Sequence, residues 1–242
     1  MIKTRANPSA SRHIREYMSR IAEYEPAICA FSEYDAKDVC DQLVRIEADT
    51  ANAPLAGLAL GVKDIIDAVP YSTASGSPLH SGRIPAQDAA AVAQLRAAGA
   101  VVMGKTVTTE FAFFSPGPTR NPHDPARTPG GSSSGSAAAV AAGFIDAGLG
   151  SQTAASITRP ASYCGVVGFK PSFGSYSLAG VGALAPSFDT LGVLCRDVST
   201  VAAVHSVLAG PVPAAPISEA KSPLRIGLCH TPWWDQALPA TR

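Results

Sequence analysis

The amino-acid sequence predicts an α/β fold, and three observations favour that class. Two short, unbroken apolar runs, at 55–62 and 100–104, are typical of strands that are covered on both faces. A helical segment at 88–98 lies between them, so that strand, helix and strand follow in the order of a βαβ unit. The composition is that of a tightly packed protein, with 46% hydrophobic residues, 16% charged residues and 21 glycines in 242 residues.

The segment ahead of the first strand, 1–53, is expected to be helical. Its two amphipathic stretches, 9–23 and 36–51, repeat apolar residues at helical spacing. These residues are Ile14, Met18, Ile21 and Ala22 in the first stretch, and Val39, Leu43, Val44 and Ile46 in the second.

Beyond the βαβ unit, loops rich in glycine, proline and serine alternate with short regular elements. Residues 112–134 contain five prolines and are expected to be irregular, and long irregular segments in compact domains usually have a function. A short alanine-rich helix and a small-residue loop with Ser156 follow. We then expect a buried strand at 166–169, a meander to Asp189, a helix at 197–208, a connector at 211–223 and a strand at 224–229.

A strand that begins a new unit at 224–242 suggests that the rest of a sheet lies beyond this chain. The sequence therefore predicts a single domain over 1–242, truncated at its C-terminus. An incomplete sheet would leave a free edge, which would favour association into a homodimer.

Charge and hydropathy exclude several functions. Nineteen basic and nineteen acidic residues cancel, so no basic field exists to hold nucleic acid or an anionic membrane. The longest apolar run is far shorter than the roughly 20 residues of a membrane span, and the polar N-terminus lacks the apolar core of a secretory signal. The five cysteines form no C-x-x-C pair and favour free thiols over a zinc site. We expect a cytoplasmic protein.

The densest cluster of candidate functional residues runs from Thr128 to Ser172. Asp146 is the only formal charge between Arg127 and Arg159, so this segment should be buried. Its many hydroxyls are costly to bury without partners. A buried segment rich in serine and glycine is typical of sites where amides and hydroxyls face a reacting group.

Lys63 supplies the base that a serine nucleophile needs. The five histidines lie in polar or amphipathic segments, none in a small-residue apolar setting that would orient it. Lys63 ends a buried strand, and burial lowers the pKa of a lysine, which makes a neutral amine available. With Ser132 of the Gly-Gly-Ser loop and Ser156, it forms one constellation.

Three motifs together resemble the amidase signature family. They are GVKDIIDA around Lys63, DAAAVAQLRAAGAVVMGKT over 88–106, and GGSSSGSAAAVAAG followed by GSQTAASITRPASYCGVVGFKPS. The resemblance covers residues 55–198, and the last segment is too long and specific to arise by chance. It implies a mixed central β-sheet covered by helices on both faces, of which this chain matches the N-terminal half.

The resemblance also implies a Ser–cis-Ser–Lys triad that hydrolyses amides without a metal or organic cofactor. Ser156 matches the nucleophile, Ser132 matches the bridging serine with its cis peptide, and Lys63 matches the base. The oxyanion hole would be formed by backbone N–H groups at the nucleophile turn, namely those of Thr153, Ala154 and Ala155.

Two features depart from the family pattern. The family usually has Gly-Gly or Ala-Gly ahead of the nucleophile, where this chain has Ala154 and Ala155. If the second position needs positive φ, alanine there would cost roughly 1 kcal/mol and misdirect an oxyanion donor. Family members are also about twice as long as this chain.

Arg159 has two interpretations. Its S-I-T-R-P spacing resembles the malonamidase-like branch of the family, where this arginine binds a substrate carboxylate, and a guanidinium suits that bidentate contact. The alternative is a structural salt bridge with Asp189 or Asp197. Two interpretations are likewise open for Ser133 and Ser134, which either cap the helix that follows or assist catalysis.

Three functions follow from these observations. The first is an amidohydrolase acting on a small-molecule amide, with small carboxylate-bearing amides ranked first. The second is a catalytically impaired fragment, suggested by the two alanines and the short chain. The third is an amidotransferase A-type subunit that works only with partner proteins. No direct contact with nucleic acid is expected.

Overall fold

The structure of this protein, a computed structural model, describes residues 8–49, 53–210, 225, 227 and 232–236. Contacts divide the chain into two units, Met1–Pro211 and Val212–Arg242. In the second unit, Trp234–Gln236 form a short 3-10 helix. The predicted connector at 211–223 lies outside the described residues, as does the predicted strand at 224–229 except for Arg225 and Gly227, which are not in a strand.

The first unit is built from α-helices and strands that mostly alternate along the described residues. In chain order these are α1 (Pro8–Ile28), β1 (Phe31–Tyr34), α2 (Ala36–Asp49), β2 (Ala59–Lys63), α3 (Ala90–Ala97), β3 (Val101–Thr106), α4 (Ser134–Ala141), β4 (Ala147–Gln152), α5 (Thr158–Cys164), β5 (Val167–Phe169), β6 (Thr190–Cys195) and α6 (Val198–Ala209).

The strands form one mixed sheet in the order β1-β3-β2-β4-β6-β5. The three central strands β3, β2 and β4 are parallel, while β1, β6 and β5 join through antiparallel pairs. The predicted βαβ unit is confirmed, because β2 and β3 are parallel neighbours joined through α3. Because both strands run in one direction, Lys63 at the end of β2 lies opposite Thr106 at the end of β3.

Helices cover both faces of this sheet. Alternate residues of β3 face opposite sides: Val102 packs in a cluster with residues of α3 and α6, and Val101 packs in a cluster with residues of α1, α2, α4 and α5. This alternation is the two-residue period of a strand. The mixed sheet covered on both faces that the sequence motifs implied is confirmed.

Helix α4 is buried from Ser134 to Val140 because glycines let it approach the sheet closely. A Cβ atom on Gly148 of β4 would lie 2.9 Å from Ser136 Cβ, and one on Gly135 would lie 2.1 Å from Ala30 O. Glycine inside a strand commonly marks such a close approach. The serines ahead of α4 are thereby fixed against the carboxyl ends of the central strands.

Several elements differ from the predictions. Strand β2 begins at Ala59 and includes Lys63, whereas residues 55–58 form a turn. Helix α1 extends to Ile28, beyond the predicted end at residue 23. The sequence interpretation missed β1, β4, α5 and β6, and β5 is half-buried rather than buried.

Candidate active site

Lys63 and Ser132 are in direct contact at the carboxyl end of β2. The Lys63 side chain is fully buried, and its Nζ atom lies 2.7 Å from Ser132 Oγ. Ser132 follows a cis peptide bond from Gly131, and its carbonyl oxygen accepts a hydrogen bond from the Thr109 N–H group. The structure therefore brings together two of the three residues that were predicted to form the triad.

Burial lowers the pKa of the Lys63 amine to about 7, and the negative charge of Asp189 opposes that shift only in part. Transfer of an ammonium group out of water disfavours its charged form. Among the described residues, no carboxylate lies within ion-pair distance of Lys63. A substantial fraction of the amine is therefore neutral near pH 7 and available as a base.

Ser156 lies in the turn between β4 and α5, with 8% of its surface exposed. The Ser133 N–H group donates to the Ser156 carbonyl oxygen at 3.2 Å, so the residue after Ser132 is bonded to the predicted nucleophile. The structure shows no hydrogen bond from Ser156 Oγ to another described residue. The structure therefore joins the backbones of Ser133 and Ser156, and the assignment of the Ser156 hydroxyl to the triad stays a prediction.

The turn ahead of Ser156 carries backbone donors without partners. The backbone N–H groups of this turn make no hydrogen bond to another described residue. They belong to Thr153, Ala154, Ala155 and Ser156. Neither alanine is among the described non-glycine residues with positive φ, so the strain considered for alanine at this turn does not arise. These N–H groups are therefore available to an acceptor outside the described residues, as an oxyanion hole requires.

Gln152 and Asp189 hold this turn in place. Gln152 Oε1 accepts hydrogen bonds from the N–H groups of Ile157 and Thr158 at 2.8 and 3.0 Å. Asp189 accepts one from the Thr153 hydroxyl and two from backbone N–H groups of a neighbouring loop. The turn is therefore held at both ends by side-chain hydrogen bonds.

Arg159 contacts neither of the carboxylates that were considered for it. Its Nε and Nη2 atoms donate to the Gly131 carbonyl oxygen at 3.0 and 2.9 Å. Asp189 is engaged by the Thr153 turn, and Asp197 accepts from the Thr200 N–H group at the start of α6. The salt-bridge interpretation is wrong, because the arginine instead connects α5 to the residue ahead of Ser132.

The capping interpretation of Ser133 and Ser134 is also wrong. Ser133 precedes α4, but its hydroxyl makes no capping bond and donates to the Ser151 carbonyl oxygen at 3.3 Å. The Ser134 hydroxyl donates to the Val107 carbonyl oxygen. Both hydroxyls connect the loop to neighbouring strands.

The sequence interpretation did not single out two buried side chains, Ser151 and Lys105. Ser151 Oγ lies 2.8 Å from Lys63 Nζ. Lys105 Nζ forms a buried ion pair with Asp64 at 3.2 Å. Lys105 near the end of the second apolar run repeats the position of Lys63 in the first, and that signal could have revealed it. Nothing in the residues around Ser151 distinguishes it from the other serines.

No group of three or more His, Cys, Asp or Glu residues in the described part of the chain could hold a metal ion. Four cysteines are described, at positions 29, 40, 164 and 195, and all are free. Over the described ranges, no helix is long and apolar enough to cross a membrane.

The sequence matches the family model described as Amidase over residues 12–238. It is 45% identical over 205 residues to the A subunit of glutamyl-tRNA(Gln) amidotransferase from Symbiobacterium thermophilum. That alignment covers 80% of this chain and 42% of the relative. The chain therefore spans less than half of the length of this curated relative.

Solved structures agree with this match. The peptide amidase from Stenotrophomonas maltophilia is 36% identical, with a TM-score of 0.78, over 90% of this chain and 48% of that chain. The A subunit of glutamyl-tRNA(Gln) amidotransferase from Thermotoga maritima is 32% identical, with a TM-score of 0.73, over 82% of this chain and 43% of that chain.

Proposed function

The chain belongs to the amidase family, and on that premise we propose that it cleaves a carboxylic amide C–N bond through an acyl-enzyme on Ser156. The observation that carries the proposal is the buried Lys63 amine, 2.7 Å from Ser132 Oγ and without an ion-pair partner among the described residues. A lysine in such an environment serves as a general base near neutral pH.

Acylation begins when the Ser156 oxygen attacks the amide carbonyl carbon. Ser156 loses its proton to Ser132, and Ser132 passes its own proton to the neutral Lys63 amine. The carbonyl oxygen becomes an anion and is held by unpaired N–H groups of the Thr153–Ser156 turn. Removal of one such donor typically costs about 3–4 kcal/mol of transition-state stabilisation.

Collapse of this intermediate breaks the C–N bond. The Lys63 ammonium returns its proton through Ser132 to the leaving nitrogen, which departs as ammonia or an amine. Water then attacks the ester on Ser156, and the same relay carries a proton from that water back to the serine oxygen. The products are a carboxylic acid and ammonia or an amine, and no residue changes its protonation state over the full cycle.

The substrate class that we propose is a small amide, with carboxylate-bearing amides first. Arg159 is an exposed residue whose Nη1 atom makes no hydrogen bond to another described residue, while Nε and Nη2 are held by Gly131. The two N–H groups of Nη1 are thus available to a substrate carboxylate.

A second candidate is an amidotransferase A-type subunit, favoured by the 45% identity to a protein of that name. Such a protein would release ammonia from its amide donor only together with partner proteins. Hydrolysis by the purified chain favours the first candidate. Turnover that requires partner proteins favours the second.

Covalent labelling tests the proposed nucleophile. A fluorophosphonate probe should modify wild type at Ser156, as located by peptide mass spectrometry, and should leave Ser156→Ala unmodified. Lys63→Met should slow labelling at least about a hundredfold because the general base is lost. The matched control Ser19→Ala, which removes an exposed hydroxyl on α1, should label like wild type. Labelling that persists in Ser156→Ala would refute this assignment.

A further inference from the structure

The Lys63 amine has a second hydroxyl partner besides Ser132. Ser151 lies on β4, beside β2, with 7% of its surface exposed, and its Oγ atom is 2.8 Å from Lys63 Nζ. The Ser151 carbonyl oxygen lies 3.4 Å from the same nitrogen, which is long for a hydrogen bond. Three oxygens from two residues therefore surround one buried nitrogen.

We propose that Ser151 is a positioning residue for the Lys63 amine, holding its N–H bonds so that its lone pair faces Ser132. A neutral amine has two N–H donors and one lone pair. The Ser151 carbonyl oxygen can only accept, so it orients one N–H bond, and Ser151 Oγ orients the other. The remaining direction, toward Ser132 Oγ, is the one from which a proton must arrive.

The same oxygens suit the ammonium that forms after proton transfer. This step rests on the proposed function, in which Ser132 gives its proton to Lys63. The new ammonium has three N–H bonds and finds three oxygen acceptors in place, so nothing needs to move. Hydrogen bonds that preferentially stabilise a charged form are a recognised cause of pKa shifts.

The contacts of the Ser151 hydroxyl indicate that it acts on the Lys63 amine rather than on the packing of the fold. Within the described residues, its hydroxyl has no hydrogen-bond partner other than Lys63 Nζ. The nearby Ser136 hydroxyl, in contrast, bonds to Thr106 Oγ1 and the Leu149 carbonyl oxygen and connects α4 to two strands. Loss of the Ser151 hydroxyl should therefore act on the amine, and loss of the Ser136 hydroxyl should act on stability alone.

The test is Ser151→Ala, with Ser136→Ala as the matched control for loss of a buried hydroxyl. The Lys63 pKa is measured from the pH titration of its ¹³Cε resonance in labelled protein, identified by its absence in Lys63→Met. Loss of an acceptor for the ammonium should lower this pKa by about one to two units in Ser151→Ala. Ser136→Ala should leave it unchanged. The acid limb of kcat/KM should move to lower pH by the same amount, and its plateau should fall about tenfold.

Two further variants keep the result decisive. Ser151→Thr retains the hydroxyl and should restore the wild-type pKa, whereas Ser151→Cys should shift it in the direction of alanine because sulfur is a weak acceptor. An unchanged or raised Lys63 pKa in folded Ser151→Ala and Ser151→Cys would overturn the proposal. The titration does not depend on turnover, so a chain without amidase activity would refute the proposed function and leave the Ser151 assignment to be decided by the resonance alone.

Discussion

Lys63 differs in what surrounds its amine from Lys105, the other lysine that is buried in the described part of the chain. Burial lowers the pKa of both. Lys105 has a carboxylate partner, Asp64, and two further oxygen acceptors at 2.8 Å, which favour its charged form. Lys63 contacts hydroxyl and carbonyl oxygens, and no carboxylate of the described residues pairs with it. We infer that Lys105 serves the fold and that Lys63 is the one poised for proton transfer.

Activity should follow the neutral fraction of Lys63. Because the amine accepts a proton only when neutral, we expect kcat/KM to rise about tenfold per pH unit below its pKa of about 7 and to level off above it. A profile measured from pH 5 to 9, with circular dichroism to verify folding at each pH, checks this. Activity that is constant between pH 5 and 7 would contradict the role of Lys63 as base.

At this scale, the sequence could reveal residues with unusual neighbours but not their partners. Lys63 was predicted because a lysine that ends an unbroken apolar strand must be buried. Ser132 and Ser156 were identified from the motif resemblance. Ser151 could not be found, because its contact depends on how β4 pairs with β2. The salt bridge considered for Arg159 was wrong because Arg159 donates to the Gly131 carbonyl oxygen instead. Every residue has such a backbone oxygen, so no sequence pattern identifies this one as the acceptor.

Helix α5 connects the two serine loops at the scale of an element. It begins two residues after Ser156, and Arg159 in its first turn bonds to the Gly131 carbonyl oxygen next to Ser132. A change in this helix should therefore alter the position of Ser132 relative to Ser156.

Arg159→Ala should lower kcat about tenfold for neutral and carboxylate-bearing amides alike, because small misplacements of reacting groups are costly. For carboxylate-bearing amides it should also raise KM at least about tenfold, through loss of a charged hydrogen bond. Steady-state kinetics on a matched amide pair measures both effects. The control Arg127→Ala, an exposed arginine paired with Asp124, should change neither. An unaltered kcat for the neutral amide would exclude the positioning effect.

The elements that were predicted share strong local signals. Strands β2 and β3 carry apolar side chains, and α3 lies between them with helical spacing. Strand β4 is fully buried but is rich in small residues, including two glycines that leave room for α4 and for the Ser133 hydroxyl. It contains no β-branched or aromatic residue that would indicate a strand. Helix α5 has only seven residues and includes Pro160 in its first turn, where proline is tolerated, so it is too short for a clear helical period.

At the scale of the whole molecule, the candidate site lies where the parallel strands β2 and β4 end. Lys63 closes β2 and Gln152 closes β4, a usual position for sites in α/β sheets. The apolar runs and the helix between them predicted the fold class, and the motif resemblance implied a sheet covered on both faces. The sequence could not predict the strand order, because the paired residues of β4 and β6 are at least 38 positions apart in the sequence.

The buried amine should cost the protein stability. A lysine whose pKa falls from 10.5 when unfolded to about 7 when folded destabilises the fold by on the order of 4 kcal/mol at pH 7. We expect Lys63→Met to raise the free energy of unfolding at pH 7 by about 2–4 kcal/mol, after allowance for the hydroxyls that lose a partner.

This gain should shrink as the pH rises from 7 toward 10. The unfolded lysine binds a proton that the folded one has already lost, so wild type becomes more stable with rising pH in that window. Urea unfolding of wild type and Lys63→Met at pH 7 and 9 measures the difference between their free energies of unfolding. The contributions of the other titrating groups cancel in this difference. The exposed Lys37→Met, whose lysine is paired with Asp41, should show no such gain. A pH-independent difference for Lys63→Met would contradict the lowered pKa.

Ammonia release from a panel of small amides, including malonamate, tests the central claim most directly. Wild type, Ser156→Ala and Lys63→Met are assayed side by side at pH 8, with folding verified for each. We predict release by wild type and a loss of at least about a thousandfold in each variant, as expected when a nucleophile or its base is removed. Turnover that survives in either variant, or its absence in well-folded wild type, would contradict the Ser156–Ser132–Lys63 amidase account for this chain.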